Sequence, residues 1–291
     1  MRKLFVCIAL GLTTLTGNAT SPLWMRDVQI SPDGTEIAFC YKGDIYKVSA
    51  GGGTAIQLTT QPSYECTPIW SPDSKQIAFA SDRNGNFDIF VMPATGGTAQ
   101  RLTTHSSSEL PSAFTPDGKY ILFSASIQDP SQSALFPTTA MTELYKVPVN
   151  GGRTEQVLGT PAEAICYAPS GEFFLYQDRK GFEDEWRKHH TSSITRDIWL
   201  YDTKTGKHTN LTNHAGEDRN PVLSPDGKSV YLLSERKGSF NVYSFPLDNA
   251  QDLKAVTSFK THPVRCLSMS HGGTLCYAYD GEIYTQKDNA T

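Results

Sequence analysis

The sequence lacks the marks of a nucleic-acid, membrane or metal protein. Its 26 Lys and Arg against 30 Asp and Glu leave a formal net charge of −4, so there is no basic footprint for nucleic acid. Past the N-terminal apolar run, no stretch is long and apolar enough to span a bilayer. Cysteine is sparse. Six are present, and setting aside Cys7 in that apolar run leaves Cys40, Cys66, Cys166, Cys266 and Cys276. An odd, scattered set is no disulfide framework, and without a CxxC there is no zinc signature. Most of these thiols are expected to be small buried hydrophobes. Cys266 and Cys276 flank a tight turn and are the candidate pair in an exported chain. Catalytic signatures are missing too: no Gly-x-Ser-x-Gly elbow, no His-Glu-x-x-His, no phosphate-binding glycine loop before a lysine. His189-His190 beside Glu183-Asp184-Glu185 is the one dense cluster of metal-ligand types, and it reads as a solvated charge run. No catalytic residue, metal site or cofactor is expected.

The chain opens on an address label. Arg2 and Lys3 precede a mainly apolar run from Leu4 to Leu15, and Gly17 and Ala19 place small residues at −3 and −1 of a cut after Ala19. Residues 1–19 are therefore expected to be a secretory signal peptide and the protein periplasmic. Cys7 lies inside the apolar run, which argues against a lipoprotein anchor. In the remainder, 13 Tyr and 14 Phe lean towards strands, where flat side chains suit a pleated surface.

Internal repetition is the decisive signal. Ser31-Pro32-Asp33-Gly34 recurs as Ser71-Pro72-Asp73-Ser74, Thr115-Pro116-Asp117-Gly118, Ala168-Pro169-Ser170-Gly171 and Ser224-Pro225-Asp226-Gly227, with Ser270-His271-Gly272-Gly273 as a degenerate sixth. The intervals are 40, 44, 53, 56 and 46 residues. Proline presets φ at the second position of the turn, and Asp and Gly suit the positions after it. Each turn is followed by an alternating strand such as Ile77-Ala78-Phe79-Ala80. Next comes an acid or amide, an aliphatic and an aromatic, such as Asp44-Ile45-Tyr46, and last a closing strand ending in Leu58-Thr59 or its equivalent. Each repeat thus predicts four short antiparallel strands, a to d. A single such sheet cannot bury both faces, and six stacked radially can, so the expected fold is an all-β six-bladed β-propeller.

The blades are placed near residues 21–60, 61–104, 105–160, 161–213, 214–258 and 259–291 of a propeller domain covering 20–291. The sixth has no Leu-Thr closure. Either Ser21 to Met25 supplies its fourth strand, or the chain is the front part of a longer protein; the bare ending favours the second.

Blades three and four carry long b–c connections, residues 126–142 and 178–196. In an antiparallel blade the b–c and d–a loops emerge on one face and the Pro-Asp-Gly turns on the other. Both excursions are therefore expected on one rim, where binding concentrates. Aligning the d–a loops on the turn proline places Glu65, Glu109 and Asp218 seven positions before it, and Glu163, Arg219 and Arg265 six positions before it. These six are the candidate binding residues around the channel mouth. One reading is a polar collar for a cation such as a peptide's amino end. The other is that each carboxylate serves its own loop through local hydrogen bonds.

The repeat resembles the Pro-Asp propeller repeats of TolB-like proteins. In its six-blade order it is similar to the N-terminal six-bladed propeller of tricorn-type serine peptidases in their exported bacterial form. Ile30-Ser-Pro-Asp-Gly-Thr-Glu-Ile-Ala-Phe39 followed by Gly43-Asp-Ile-Tyr46, and Leu211-Thr-Asn-His-Ala-Gly-Glu-Asp-Arg-Asn-Pro221, carry this, and the likeness spans about Ser21 to Gln286. In that family a second propeller, a PDZ domain and the catalytic core follow, and the propellers are thought to filter and guide peptides. The family's nucleophile, base and oxyanion donors have no counterpart here. The resemblance implies a non-catalytic module that handles peptides or docks a protein partner on the rim carrying the two excursions, with a homo-oligomer arising through the full-length protein. The alternative is a stand-alone TolB-like periplasmic adaptor. A metal-dependent lactonase is a third reading, and it would need inward carboxylates and an Asn converging on one ion.

Overall fold

The computed structural model describes residues 24–127, 141–181, 184, 186–188 and 192–287. The expected signal peptide, residues 21–23 of the proposed closing strand, 128–140 of the first excursion, Glu183, Glu185 and His189-His190 lie outside the described residues.

The sheet begins at its turns. Ser31 Oγ donates to Asp33 Oδ1 at 2.5 Å, Gly34 N–H donates to the Ser31 carbonyl at 2.8 Å, and Glu36 N–H donates to Ser31 Oγ at 3.0 Å. The same hydroxyl-to-carboxylate bond closes Ser71/Asp73, Thr115/Asp117 and Ser224/Asp226 at 2.7, 2.6 and 2.6 Å. That hydroxyl, and then a backbone N–H, hold these Asp carboxyls below the usual carboxylate range. The fourth residue of the turn is left-handed, at φ +76° in Gly34 and +69° in Gly118, which is why glycine recurs there.

Blade one is β1 (Arg26–Ile30), β2 (Glu36–Tyr41), β3 (Asp44–Ser49) and β4 (Ile56–Gln57). Blade two is β5 (Glu65–Trp70), β6 (Gln76–Ser81), β7 (Asp88–Pro93) and β8 (Gln100–Arg101). Blade three is β9 (Glu109–Phe114), β10 (Tyr120–Ala125), β11 (Glu143–Pro148) and β12 (Glu155–Leu158). Blade four is β13 (Glu163–Tyr167), β14 (Phe173–Gln177), β15 (Ile198–Asp202) and β16 (His208–Asn210). Blade five is β17 (Asp218–Leu223), β18 (Ser229–Ser234), β19 (Asn241–Pro246) and β20 (Lys254–Ala255). Blade six has three strands among the described residues, β21 (Arg265–Met269), β22 (Thr274–Tyr279) and β23 (Glu282–Lys287). Every sheet is an antiparallel meander in sequence order.

The repeat signatures now have physical roles. In five of the six blades an aromatic of the second strand lies across from the aromatic of the Asp-Ile-Tyr element; blade five has Leu232 opposite Tyr243. Phe39 pairs with Tyr46, Phe79 with Phe90 and Phe123 with Tyr145, stacked at 5.8, 5.9 and 5.8 Å. The threonine of Leu-Thr caps the outer edge: Thr59, Thr103, Thr212 and Thr257 Oγ1 accept the N–H of Ile45, Ile89, Ile198 and Val242 at 2.8–3.0 Å. The second strands are buried on both sides, as in β6, because each blade is sandwiched between neighbours.

First strands neighbour first strands around the whole ring, so a is the inner strand. At four junctions the N–H opening a blade donates to the carbonyl just before the preceding blade's third strand: Glu65 to Gly43, Glu109 to Phe87, Asp218 to Arg196 and Val264 to Phe240, at 2.7–3.0 Å. Met25 N–H donates to the Gly281 carbonyl in the same way at 3.3 Å, so blade six meets blade one through the same device. Ile30 N–H to Ser268 Oγ (3.1 Å) and a shared core of Val28, Ile30, Phe39, Cys276 and Ala278 seal that seam. The chain closes into a six-bladed propeller.

The Cys266–Cys276 pairing is corrected: both thiols are free. Cys276 lies opposite Ser268, while Cys266 falls in the bulge between Arg265 and Ser268, so the two are out of register. Burial pushes their thiols up to about 11 (Cys266) and about 12 (Cys276), as expected of inert core cysteines.

Candidate functional site

All six inner strands are bulged against the second strand, β9 at Ser112, and in five of them a non-glycine residue of the bulge is left-handed. Asp27, Thr67, Ala164, Asn220 and Cys266 adopt φ between +49° and +58°, each inside a register shift against the second strand. Each bulge bends the strand where it enters the axis, and a cavity of ≈ 270 Å³ opens between the six. Its mouth is polar, with Asp27, Thr67, Glu163, Arg179, Arg219 and Arg265 in the wall. A second cavity of ≈ 210 Å³ shares Gln29, Ile69, Ser112, Ala164 and Asn220 with it and continues towards the turn face. There the wall mixes polar residues such as Ser112, Asn220 and Ser268 with Ile30, Trp70, Ile165 and Leu267, which belong to the cores between the blades.

The structure divides the six candidate residues into two groups. Glu163, Arg219 and Arg265, six positions before the turn proline, line the mouth. Glu65, Glu109 and Asp218, one position earlier, stand behind it at 0%, 1% and 0% exposure. Side chains alternate along a strand, so one residue's difference in register turns the carboxylate away from the axis. Glu65 accepts hydrogen bonds from Ser63 Oγ (2.5 Å) and Ser81 Oγ (2.8 Å) and pairs with Arg83 at 3.2 Å. Asp218 pairs with Arg236 at 2.6 Å; burial pushes its carboxyl up, opposed by Ser234 and that guanidinium. Glu65 and Asp218 thus serve their own blade through side-chain donors, mainly from the end of the second strand and the arginine just after it, not through loop N–H groups.

A signal for this was present in the sequence. Ser81-Asp82-Arg83 and Ser234-Glu235-Arg236 end the second strands opposite Glu65 and Asp218, and Gln177-Asp178-Arg179 does so opposite Glu163. Blade three has an acid but not the partner: Ala125 and Ile127 occupy those places opposite Glu109. Glu109 is accordingly pushed up to about 7, by burial first, with Asp88 adding to the push and Thr103 and Arg101 opposing it.

The excursion of blade four is the element that alignment of the repeats did not place. Arg187 is buried between Glu217 (2.5 Å) and Glu235 (2.6 Å) of blade five and lies over the Phe240 ring at 5.1 Å. Arg196 reaches Glu217 at 2.7 Å. Burial alone would push Glu217 up, but Arg219, Arg187 and Arg196 hold it below the usual range. From that anchor the excursion carries Trp186 to the mouth, where its indole meets Arg26 of blade one at 4.6 Å and Arg265 of blade six at 5.0 Å. Arg265 Nη2 also donates to the carbonyls of Trp186 (2.9 Å) and Arg187 (3.0 Å). The segment thus runs from blade four over blade five to the seam. On the neighbouring side Thr142, ending the blade-three excursion, donates to Glu163 at 3.4 Å, so described parts of both excursions border the same mouth.

With six blades, Pro-Asp-Gly turns and an axial cavity in place, residues 22–291 match the tricorn protease N-terminal beta propeller domain. The chain belongs to that family. Tricorn protease itself superposes with a TM-score of 0.76 at 22% identity, over 92% of this chain and 26% of that one. A putative TolB from Agrobacterium tumefaciens shares the fold at TM-score 0.64 and 19% identity, covering 81% of this chain and 82% of that one. An uncharacterized protein of Agrobacterium fabrum is 31% identical over 146 residues, 48% of this chain and 44% of that protein. The chain spans less than half the length of the curated relatives it matches. Among the described residues no helix is long and apolar enough to cross a membrane.

Proposed function

We propose that this tricorn-type propeller is a non-catalytic module that binds peptides in its axial cavity, as the front part of an exported serine peptidase. The observation carrying this reading is the cavity itself: all six blades wall it, and both long excursions border its mouth. A rigid ring holds such a site without needing its lining residues for the core. Among the six candidates, Glu163, Arg219 and Arg265 are the ligand-facing set, and Glu65, Glu109 and Asp218 hold the blades that present them. The test is calorimetric titration of the purified chain with short peptides. Saturable binding weakened at least fivefold by Arg265→Ala, with melting unchanged, is expected; absence of binding by any peptide defeats the reading.

Export follows from residues 1–19 acting as a signal peptide. N-terminal sequencing of the protein from a periplasmic fraction is expected to begin at Thr20; a retained Met1 would overturn this.

One observation favours the second reading, a stand-alone adaptor for an envelope protein. Trp24, Tyr64, Leu110, Met141, Trp186 and Ile194 are six of the eight exposed large hydrophobics among the described residues, and all sit on the mouth face. Apolar residues gathered on one face suit a protein partner.

A further inference from the structure

The inner strand of blade three starts on a carboxyl that its own second strand leaves without a guanidinium. Glu109 is 1% exposed, and Ala125 and Ile127 stand where blade two sets Ser81 and Arg83 against Glu65. Its Oε2 is buried without a hydrogen-bond partner among the described residues. Burial first, then the repulsion of Asp88, favours the proton on Glu109. The Thr103 hydroxyl and Arg101 of β8 oppose this, but that guanidinium is committed to the buried Asp88 of β7 at 2.7 Å. Elsewhere around β9, Glu65 of β5 and Glu163 of β13 are held by Arg83 and Arg179, and β10 carries no charged side chain.

Glu109 is also where the largely exposed loop 104–108 becomes the wall. The residues after it, Leu110, Pro111 and Ser112, line the axial cavity, and Ser112 Oγ accepts the Ile165 N–H of blade four at 2.8 Å. The loop is tied down lightly. Asn86 Nδ2 donates to the carbonyls of His105 and Ser107 at 2.9 and 3.0 Å, and Ser107 N–H donates to His105 Nδ1 at 3.0 Å. Glu109 N–H donates to the Phe87 carbonyl at 2.8 Å. Swinging this segment outward puts Glu109 in water, where its carboxyl ionises at the ordinary 4.5. The closed form's advantage is therefore whole below that pH, falls as pH rises to about 7, and is gone above it. We propose that the start of β9 is a proton-held latch on the blade-three side of the mouth, shut while Glu109 is protonated and opening locally as it ionises. The latch belongs to the wall, so it stands or falls apart from what the cavity binds.

Amide exchange of the full chain is followed at pH 5.0 and pH 7.5 and corrected for the intrinsic rate at each. Opening of residues 104–112 is expected to rise about tenfold or more between the two, and that of the matching residues 60–68 of blade two less than about twofold. Glu109→Gln should flatten the rise while leaving His105 in place, which separates the two titrating groups of this segment. Ala125→Ser with Ile127→Arg gives blade three the partners of blade two, and should flatten the rise in a chain that keeps Glu109. Melting shows whether each variant is folded, and either one that folds decides the matter. A rise that survives in Glu109→Gln overturns the latch and leaves His105 as the trigger. A rise shared equally by β14 and β18 is global unfolding and overturns it too, as does no rise in the wild type.

Discussion

Arg187→Ala is expected to lower the unfolding free energy by about 3 kcal/mol, the lower end of what removing one partner of a buried ion pair costs. The side chain is 1% exposed and joins two carboxylates, Glu217 and Glu235, whose own side chains are 0% and 9% exposed. Without the guanidinium, Glu217 keeps Arg196 at 2.7 Å and Arg219 at 3.8 Å, which is why the loss is placed at the lower end. Glu235 keeps only the Glu217 N–H, at 2.8 Å, as a described partner. The packing of Arg187 on Phe240 goes as well. Because the pair is out of solvent, added salt should change the loss little. Denaturant unfolding of the two proteins at low and high salt measures this. A loss under 1 kcal/mol would mean that the excursion is only draped over blade five. A second consequence is local: Trp186 should lose its place between Arg26 and Arg265, so amide exchange in β1 and β21 is expected to quicken ahead of the other inner strands.

The fold was legible because its determinants are local and repeated. A turn such as Ser31-Pro32-Asp33-Gly34 closes on its own hydroxyl and carboxylate, and the Phe79–Phe90 and Thr103–Ile89 contacts lie within one blade at fixed spacing. Six copies of such a unit can only stack. The site was half legible. Aligning loops found the positions, but whether position seven or six before the proline faces the axis depends on where the bulge falls, and a bulge such as that at Thr67 leaves no composition signal. Glu65 and Glu163, alike on paper, therefore end on opposite sides of the inner wall. The excursion of blade four was legible as an insertion but not as a bridge. Its partners Glu217, Arg26 and Arg265 lie in other blades, and nothing periodic links Arg187 or Trp186 to them.

The one acid without a guanidinium from its own second strand gives the second large effect. Glu109 is 1% exposed, with Ala125 and Ile127 where blade two has Ser81 and Arg83. Buried beside Asp88, which Arg101 pairs with at 2.7 Å, its carboxyl is pushed from the ordinary 4.5 up to about 7. The folded state therefore holds a proton that the unfolded chain releases above pH 4.5. Wherever the native protein binds more protons than the unfolded one, stability falls as pH rises, here by at most about 1.4 kcal/mol per pH unit. The contribution is intact below pH 4.5, declines through the window to about 7, and is gone above it. Glu109→Gln keeps the shape and cannot ionise. It should match the wild type at pH 4.5 and exceed it at pH 8 by on the order of 3 kcal/mol, the free energy of a rise from 4.5 to about 7 in which the relief from Arg101 and Thr103 is already counted. Urea unfolding of both proteins across this pH range decides it. A difference that grows towards acid would reverse the assignment and place Glu109 among the paired acids, with Glu65.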